Sequence, residues 1–224
     1  MQDINILQKY IDYFFNDQQL LVLALTHASY ANEHNIEKYL TNQRLEFLGD
    51  AILELICSDF LYKEYKFATE GFLTKMRASL VCEETLSKVA RELQLYNYMR
   101  YGNGEDINKI KKNDSIMCDT LESVFGAIYL DSNINEITRI VDKFILTEDN
   151  LNKDINDYKS KIQEIANANK IIIKYIVDKE EGPDHNKKFY VSLHYGEHFV
   201  GTGIGKTKKE AEQSAAKNTL EYIK

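Results

Sequence analysis

Apolar positions recur at helical spacing over the first two thirds of the chain. Up to about residue 147 they return every three to four positions, the period of an amphipathic α-helix. A polar, glycine-containing loop is predicted from Gly102 to Asp114. The helical segments predicted from the pattern are Ile4–Phe15, Gln19–Ala28, Arg44–Tyr62, Gly71–Leu93, Ser115–Leu130 and Ile134–Leu146.

The pattern changes after residue 147. Residues 148–156 are polar with isolated apolar positions, which is typical of a linker. Helices are then predicted over Tyr158–Ala168 and Thr207–Ile223. Between them lie three β-branched or partly alternating segments that favour strands, at Ile171–Val177, Lys188–Tyr195 and Glu197–Ile204. The fold class predicted is therefore multidomain, with an all-α domain (1–147) followed by a small α+β domain (157–224) of order α-β-β-β-α.

Composition is compatible with two cores in one intracellular chain. The 224 residues are 44% hydrophobic, which is ordinary for a globular protein. Three cysteines, far apart in sequence, argue against a disulfide framework or a cysteine zinc site and fit a reducing cytosol. One of them, Cys118, is expected to be a small buried residue. The N-terminus lacks a secretory pattern, and the apolar run Leu20–Leu25 is too short to span a bilayer, so a cytoplasmic location is predicted.

Charge is distributed unevenly between the two parts. The net charge of −7 would by itself disfavour a nucleic-acid partner. However, residues 155–224 hold 12 lysines and 10 acidic residues, a net charge of +2, whereas the remainder of the chain carries −9. An acidic N-terminal part suits a metal-binding catalytic unit.

Two acidic pairs lie within helices that otherwise resemble core. Glu46 and Asp50 are four residues apart, and Asp119 and Glu122 are three apart, so each pair shares one helix face. Carboxylates among apolar residues are unfavourable unless a positive group lies between them. Each helix also contains a glycine, Gly49 or Gly126, that permits close approach of another backbone. If the helices cross there, the four carboxylates converge.

Oxygen ligands without a nearby histidine favour Mg²⁺ or Mn²⁺ over Zn²⁺. Such a site is suited to phosphodiester hydrolysis, because a divalent ion activates water and stabilises the leaving oxygen. The alternative is that the pairs form solvated helix faces, which is the more common reason for an acidic pair on a helix. Spacing alone leaves both interpretations open.

The segment Asn42–Leu53 (NQRLEFLGDAIL) resembles the signature of the ribonuclease III family. The second acidic motif of that family is similar to Asp119–Glu122 and the following Gly126–Tyr129. One departure is Gln43, where the family usually has glutamate before the signature arginine. Further similar segments are Leu25–Glu33, Glu70–Thr74 and Arg77–Val81.

This resemblance implies Mg²⁺-dependent cleavage of double-stranded RNA to 5′-phosphate and 3′-hydroxyl ends, with Mn²⁺ able to substitute. It also implies processing of ribosomal RNA precursors and other structured transcripts. Glu46, Asp119 and Glu122 correspond to metal ligands, and Asp50 and Glu122 to catalytic positions. The family forms homodimers through the helical domain, and Phe47 corresponds to an aromatic side chain that packs across that interface.

The C-terminal part resembles a double-stranded RNA-binding domain. The resemblance lies in Asp157–Glu164, Gly182–His185 and Gly201–Ala216. Lysines around the start of the last helix oppose the helix dipole unless a phosphate docks there. Thr207 and Glu210 form a predicted capping box at this helix start. By analogy, the RNA-binding residues are Gln163 and Glu164 at 2′-hydroxyls, His185 in the minor groove, and Lys206, Lys208 and Lys209 at phosphates.

Three functions are compatible with these observations. The first is a double-strand-specific endoribonuclease, the second a catalytically silent protein that binds structured RNA. The third is a metal-binding helical protein fused to a module with which it shares no substrate. Retention of all four acids favours the enzyme, and a matched RNA-binding module beside them disfavours the third.

Overall fold

The computed structural model describes residues 2–66, 68–155, 158–168, 170–183, 187–196 and 198–223. The chain divides into two compact units, Met1–Leu151 and Asn152–Lys224. The boundary lies within the segment 148–156 that the sequence predicts as a linker.

The first unit is helical. Short 3₁₀ turns at Lys38–Leu40 and Leu95–Asn97 supplement the α-helices. Among the described residues, every helix is too short or too polar to cross a bilayer. The helices are α1 (Ile4–Ile11), α2 (Gln18–Ala24), α3 (Ala28–Glu33), α4 (Gln43–Glu64), α5 (Glu70–Leu80), α6 (Glu83–Glu92), α7 (Ile107–Lys112), α8 (Asp114–Asp131) and α9 (Ile134–Phe144). A further helix, α10 (Glu148–Ile155), begins in this unit and continues past its last residue, Leu151.

Helix α8 lies at the centre of this unit. It packs against α2, α4, α6 and α9, and every residue from Thr120 to Ile128 is buried or nearly so. A helix that is apolar on all sides must be surrounded by other elements. The second acidic pair is therefore carried into the interior of the unit by the apolar residues around it.

Three predicted helices differ from the observed ones. The helix predicted over Gln19–Ala28 ends at Ala24, and Ala28 begins a separate helix, α3. The segment Gly71–Leu93 is divided into α5 and α6, because Cys82 adopts an extended conformation (φ −71°, ψ 153°). The apolar spacing continues across this break, so the hydrophobic pattern does not reveal it. The first helix ends at Ile11 rather than Phe15, because Asp12 is left-handed with φ +66°.

Two polar segments contain helices that the pattern does not predict. The predicted loop Gly102–Asp114 contains α7, whose first turn is capped by Asp106, which accepts a hydrogen bond from the Asn108 N–H at 2.8 Å. The predicted linker contains the whole of α10. Both helices are short and have few apolar residues, so they produce little helical periodicity.

The second unit has the predicted order α-β-β-β-α. It comprises α11 (Tyr158–Ala168), β1 (Ile173–Glu181), β2 (Lys188–Tyr195), β3 (His198–Gly205) and α12 (Lys208–Ile223). The strands form an antiparallel sheet in the order β1-β2-β3, with Val191 opposite Val177 on one side and Gly203 on the other. Its core joins Ile162 of α11, Val191 and Leu193 of β2, and the alanines 211, 215 and 216 of α12.

Glycines on β3 allow α12 to lie directly on the sheet. A Cβ atom at Gly203 would overlap the backbone of Ala211 and Ala215, and Gly201 and Gly205 face the same helix equally closely. Small residues on both surfaces therefore set the distance between helix and sheet. This packing fixes where the helix start, with its lysines, lies relative to the strands.

Candidate active site

Helices α4 and α8 cross at two glycines. A Cβ atom at Gly49 would overlap the carbonyl group of Glu122, and one at Gly126 would overlap the carbonyl oxygen of Leu45. The two backbones are therefore closer than any side chain would allow. The two helices thus cross at the mid-helix glycines, which is the condition under which the four carboxylates converge.

A hydroxyl group also joins the two helices. The Ser123 Oγ lies 3.1 Å from the carbonyl oxygen of Asn42, at the start of α4, and 2.7 Å from that of Asp119 on its own helix. Asn42 is in turn held by its backbone N–H, which donates to the carbonyl oxygen of Thr26 at 2.9 Å. These bonds align the first turn of α4, which carries Glu46, with the middle of α8.

The crossing brings both acidic pairs to one site. Glu122 is only 9% exposed, Glu46 and Asp119 are half-buried, and Asp50 is exposed. Burial is the main reason why the pKa of Glu122 is raised to about 7, and the negative charges of the other three carboxylates add to the effect. Burial likewise raises the pKa of Glu46, with smaller contributions from Asp119 and Asp50. The four groups therefore interact electrostatically.

Glu83 and His27, which lie outside α4 and α8, affect the pKa of Asp119. Burial raises the pKa of its carboxyl group, the charge of Glu83 adds to this, and His27 opposes it. The His27 ring also caps α3, because its Nδ1 accepts the Ser29 N–H at 3.2 Å. Sequence reasoning missed Glu83, since α6 reaches the site only through tertiary packing.

The donor set fits a hard divalent cation. Among the main electrostatic influences on Glu46 and Glu122 in the described part of the chain, none comes from a lysine or an arginine. Half-buried carboxylates without a cationic partner are unfavourable, and oxygen-rich sites of this kind suit Mg²⁺ or Mn²⁺.

Cys118 also faces this site. Its Sγ donates to Glu122 Oε1 at 3.6 Å, one helical turn away, and it is 8% exposed. One potential ligand atom from each of Cys118, Asp119 and Glu122 lies within 4.8 Å of the others. Burial, with the nearby carboxylates, raises the pKa of the thiol. The sequence correctly predicts a buried residue, but the four-residue spacing to Glu122 was the signal for its contact with the site.

An exposed apolar face runs along α4. Phe47, Leu55 and Tyr62 are 80%, 59% and 74% exposed, and their spacing of eight and seven residues places them on one side of the helix. A cavity of 380 Å³ adjoins Leu55 and Tyr62, and its lining also includes Leu61, Leu73 and the charged Asp59, Glu70 and Arg77. Apolar side chains exposed in a contiguous patch are typical of an interaction surface. We call these three residues the α4 apolar face.

The second unit places the three predicted RNA-binding lysines together. Lys206, Lys208 and Lys209 are exposed at the start of α12. The capping box is present in modified form, because Thr207 accepts the Glu210 N–H at 3.1 Å, while the Glu210 carboxylate accepts the Lys206 N–H at 2.8 Å. Lys208 also lies 3.1 Å from a carboxylate oxygen of Glu180 on β1.

The other predicted RNA-binding residues are described only in part. Gln163 is exposed on α11. Glu164 lies on the same helix, but its side chain is outside the described residues, as is the whole of His185. Their predicted RNA contacts stay predictions.

Two family descriptions match the chain. Residues 17–149 match "Ribonuclease-III-like", and residues 158–223 match "Double-stranded RNA binding motif". Among curated proteins, Ribonuclease 3 of Caldanaerobacter subterraneus subsp. tengcongensis is 42% identical over 221 residues, covering 97% of this chain and 96% of that protein. Ribonuclease 3 of Clostridium perfringens is 41% identical over 233 residues, covering 100% and 96%, respectively.

Solved structures of ribonuclease III nuclease domains are similar to the helical unit. The nuclease domain of ribonuclease III from Campylobacter jejuni is 35% identical, with a TM-score of 0.58, and the match covers 65% of this chain and 100% of that chain. The description of that structure refers to a region involved in dimer formation. A second structure of the same domain is 36% identical, with a TM-score of 0.59, covering 65% and 95%.

Proposed function

We propose that this chain, which belongs to the ribonuclease III family, cleaves duplex RNA by Mg²⁺-dependent phosphodiester hydrolysis, leaving 5′-phosphate and 3′-hydroxyl ends. Membership of the family makes it a double-strand-specific endoribonuclease. The observation that supports the proposed chemistry is the convergence of four carboxylates on the α4–α8 crossing, where the main electrostatic partners of Glu46 and Glu122 among the described residues include no lysine or arginine. We further propose that it processes ribosomal RNA precursors and other structured transcripts in the cytoplasm.

The proposed roles of the carboxylates follow their burial. Glu46, Asp119 and Glu122 are the more buried groups and would hold the ion, with Mn²⁺ able to replace Mg²⁺. When bound, the ion supplies Lewis-acid activation of water and stabilises charge on the leaving 3′ oxygen. Asp50 is exposed at the same site, so its carboxylate is accessible to orient the attacking water and accept its proton.

The proposal predicts cleavage that depends strictly on a divalent ion. Long duplex RNA incubated with the protein and Mg²⁺ should be cut, and chelation of the ion should stop the reaction. Mn²⁺ should restore it, because both ions accept oxygen ligands. The products should be substrates for enzymes that need a 5′-phosphate and a 3′-hydroxyl. Duplex RNA that is bound but stays intact with either ion would instead support the silent RNA-binding protein.

For the second unit, we propose that the lysines at the start of α12 bind RNA phosphates. The helix N-terminus offers free N–H groups and a positive dipole end beside them. Lys208 must exchange its ion pair with Glu180 for a phosphate, so its contribution is smaller than that of a lysine without such a pair. A module of this type reads A-form shape with little sequence preference.

Replacing Lys206, Lys208 and Lys209 by alanine is expected to weaken duplex binding in a salt-dependent way. Three lost phosphate contacts would flatten the plot of log affinity against log salt by about 2–3. The measurement is duplex binding at several salt concentrations. The control is Lys174→Ala, because the neighbouring Ile173 and Tyr175 pack inwards and strand alternation turns Lys174 to the other face of the sheet. An unchanged slope in the triple variant would exclude these lysines from the interface.

We also propose that the chain forms a homodimer through the α4 apolar face. The exposure of Phe47 supports this, since a phenylalanine exposed to 80% is unfavourable in a monomer. The neighbouring cavity supplies an apolar recess on the same surface. In a two-fold dimer the same patch is used on both copies, so Phe47 of one protomer can occupy the cavity of its partner.

Phe47→Asp is therefore expected to produce a monomer. Loss of a central aromatic anchor and burial of a charge raise the dimer dissociation constant by about 30-fold or more, equivalent to about 2 kcal/mol. Sedimentation over a range of protein concentrations measures this. Phe199→Asp alters an aromatic residue of the second unit that is 60% exposed and should leave the assembly unchanged. If the Phe47 variant sediments like the wild type, the proposed interface is wrong.

A further inference from the structure

We propose that Cys118 makes the metal site of this chain a capture site for soft divalent cations, in which Cys118, Asp119 and Glu122 bind Zn²⁺ or Cd²⁺. The inference rests on the proposed metal site and extends it to ions that the catalytic reaction does not use. It assigns a ligand role to a thiol that has no part in the proposed hydrolysis.

The first support is the geometry of the thiol. Bond lengths of about 2.3 Å for Zn–S and about 2.0 Å for Zn–O in a tetrahedral site place the two ligand atoms about 3.5 Å apart. The distance from Cys118 Sγ to Glu122 Oε1 is 3.6 Å. One oxygen of Asp119 completes a group within 4.8 Å, which a small side-chain rotation can contract. The three groups are thus already arranged around one potential position for an ion.

The second support is the electrostatic state of Glu122. This side chain is nine-tenths buried, yet its one hydrogen bond among the described residues comes from a thiol, which is a weak donor. Its second carboxylate oxygen receives no donor in that part of the chain and is open to solvent, so an ion can reach it. The surrounding charges are negative. A carboxylate in this environment is stabilised by a cation beside it, so the position between Glu122 and the thiol favours a positive ion.

The kind of ion follows from the ligand. Mg²⁺ takes oxygen ligands and gains little from sulfur, whereas thiolate is a preferred ligand of Zn²⁺ and similar soft ions. Binding replaces the S–H bond by a bond from sulfur to the metal, and the proton is released to solvent. No electron is transferred, so no oxidant or reductant is needed. Zn²⁺ and Mg²⁺ should therefore compete at this site, and zinc should act as an inhibitor of cleavage.

The test is a titration of the full-length protein with Cd²⁺, without RNA and without Mg²⁺. Cadmium bound to a thiolate produces an ultraviolet charge-transfer band. We expect this band in the wild type and its loss in Cys118→Ala. Cys82→Ala is the matched control, since Cys82 is also a free cysteine in the same unit, and this variant should keep the band. Absence of the band in the wild type, or its persistence in Cys118→Ala, would overturn the proposal.

Two further variants test whether the charge-transfer band arises from the proposed site. Cys118→Ser is a second variant in case the alanine protein does not fold, and circular dichroism establishes the fold of each. Asp119→Asn should lower the affinity for Cd²⁺ by about tenfold or more while the band remains, because one oxygen ligand is weakened. An unchanged affinity would remove Asp119 from the site.

Competition distinguishes this proposal from the proposed function. A large excess of Mg²⁺ should raise the Cd²⁺ concentration needed to reach half of the full band, and a midpoint that Mg²⁺ leaves unchanged would contradict a shared site. Failure of the protein to cleave RNA would leave the thiolate band and its dependence on Cys118 unaffected. The two hypotheses can thus fail independently.

Discussion

Replacing Glu122 by glutamine is expected to abolish cleavage of duplex RNA while duplex binding is retained. Glutamine preserves the size of the side chain but removes the charge of the most buried carboxylate in the site. Loss of one electrostatic partner in a buried site typically reduces a rate by about 100- to 1,000-fold. Cleavage of labelled duplex RNA and a filter-binding assay measure the two properties separately.

Glu54→Gln is the matched control for this variant. Glu54 is exposed on α4, one turn beyond Asp50, and should retain full cleavage because it lies outside the group of four carboxylates. If Glu122→Gln cleaves RNA as the wild type does, Glu122 has neither of its proposed roles. If it loses duplex binding as well, its effect extends beyond the metal site.

The same substitution has a pH-dependent effect on stability in the absence of divalent ions. The pKa of Glu122 is raised from 4.5 to about 7 in the folded protein, so ionisation opposes folding. The free energy of unfolding of the wild type should fall as pH rises from 4.5 through about 7. Above that pH, Glu122 is ionised in both states and the loss of stability is complete. Glu122→Gln should be more stable than the wild type above pH 7, by on the order of 1–3 kcal/mol, and no more stable below pH 4.5. Urea unfolding across this range measures the difference.

Gly126→Ala should disrupt the helical unit and the site together. The added methyl group would overlap the carbonyl oxygen of Leu45, so α4 and α8 must separate. Forcing an atom into a packed core usually lowers the free energy of unfolding by about 1–3 kcal/mol, and backbone neighbours leave little room for relaxation. Because the two acidic pairs lie on these two helices, cleavage should fall as well.

Gly71→Ala provides the comparison. Gly71 also lies in a helix, α5, but nothing lies within 4 Å of a Cβ atom built there. Gly71 is the second residue of α5, where the preference for alanine is smaller than the about 1 kcal/mol of a helix interior, so this variant should be as stable as the wild type or slightly more so. If urea unfolding shows the same loss of stability for both variants, the close approach of the two helices at Gly126 is not the cause of that loss.

The sequence by itself predicts most of the elements and the identity of the site. Apolar spacing predicts the principal helices, because a helix that buries one face must repeat its apolar residues with its own period. The change to β-branched segments after residue 170 predicts the sheet. Gly49 and Gly126 indicate that another backbone approaches each acidic helix, because a glycine inside a helix is otherwise unfavourable. That the two helices cross each other is shown by the structure. The role of each acid came from the family resemblance, since spacing left a solvated surface open as an alternative.

The positions at which helices break depend on local backbone conformations. These conformations do not change the apolar period of the sequence. The residue at the break between α5 and α6, Cys82, continues the helical pattern in sequence although its backbone is extended. Helix α7 begins at the cap formed by Asp106, and α10 begins where the Thr147 hydroxyl accepts the Asn150 N–H at 3.4 Å. Hydrophobic periodicity reports burial averaged over several turns, so it does not resolve features of one or two residues.

The sequence itself therefore determines which carboxylates can form the proposed metal site, because each of the two acidic motifs lies within one short segment of the chain. Only the tertiary structure decides which other side chains lie beside these two motifs. Glu83 acts on Asp119 from α6, and the thiol of Cys118 is turned towards Glu122 rather than into the apolar core. The burial that raises the pKa of Glu122 arises from elements distant in sequence, and desolvation depends on all surrounding atoms rather than on neighbours along the chain.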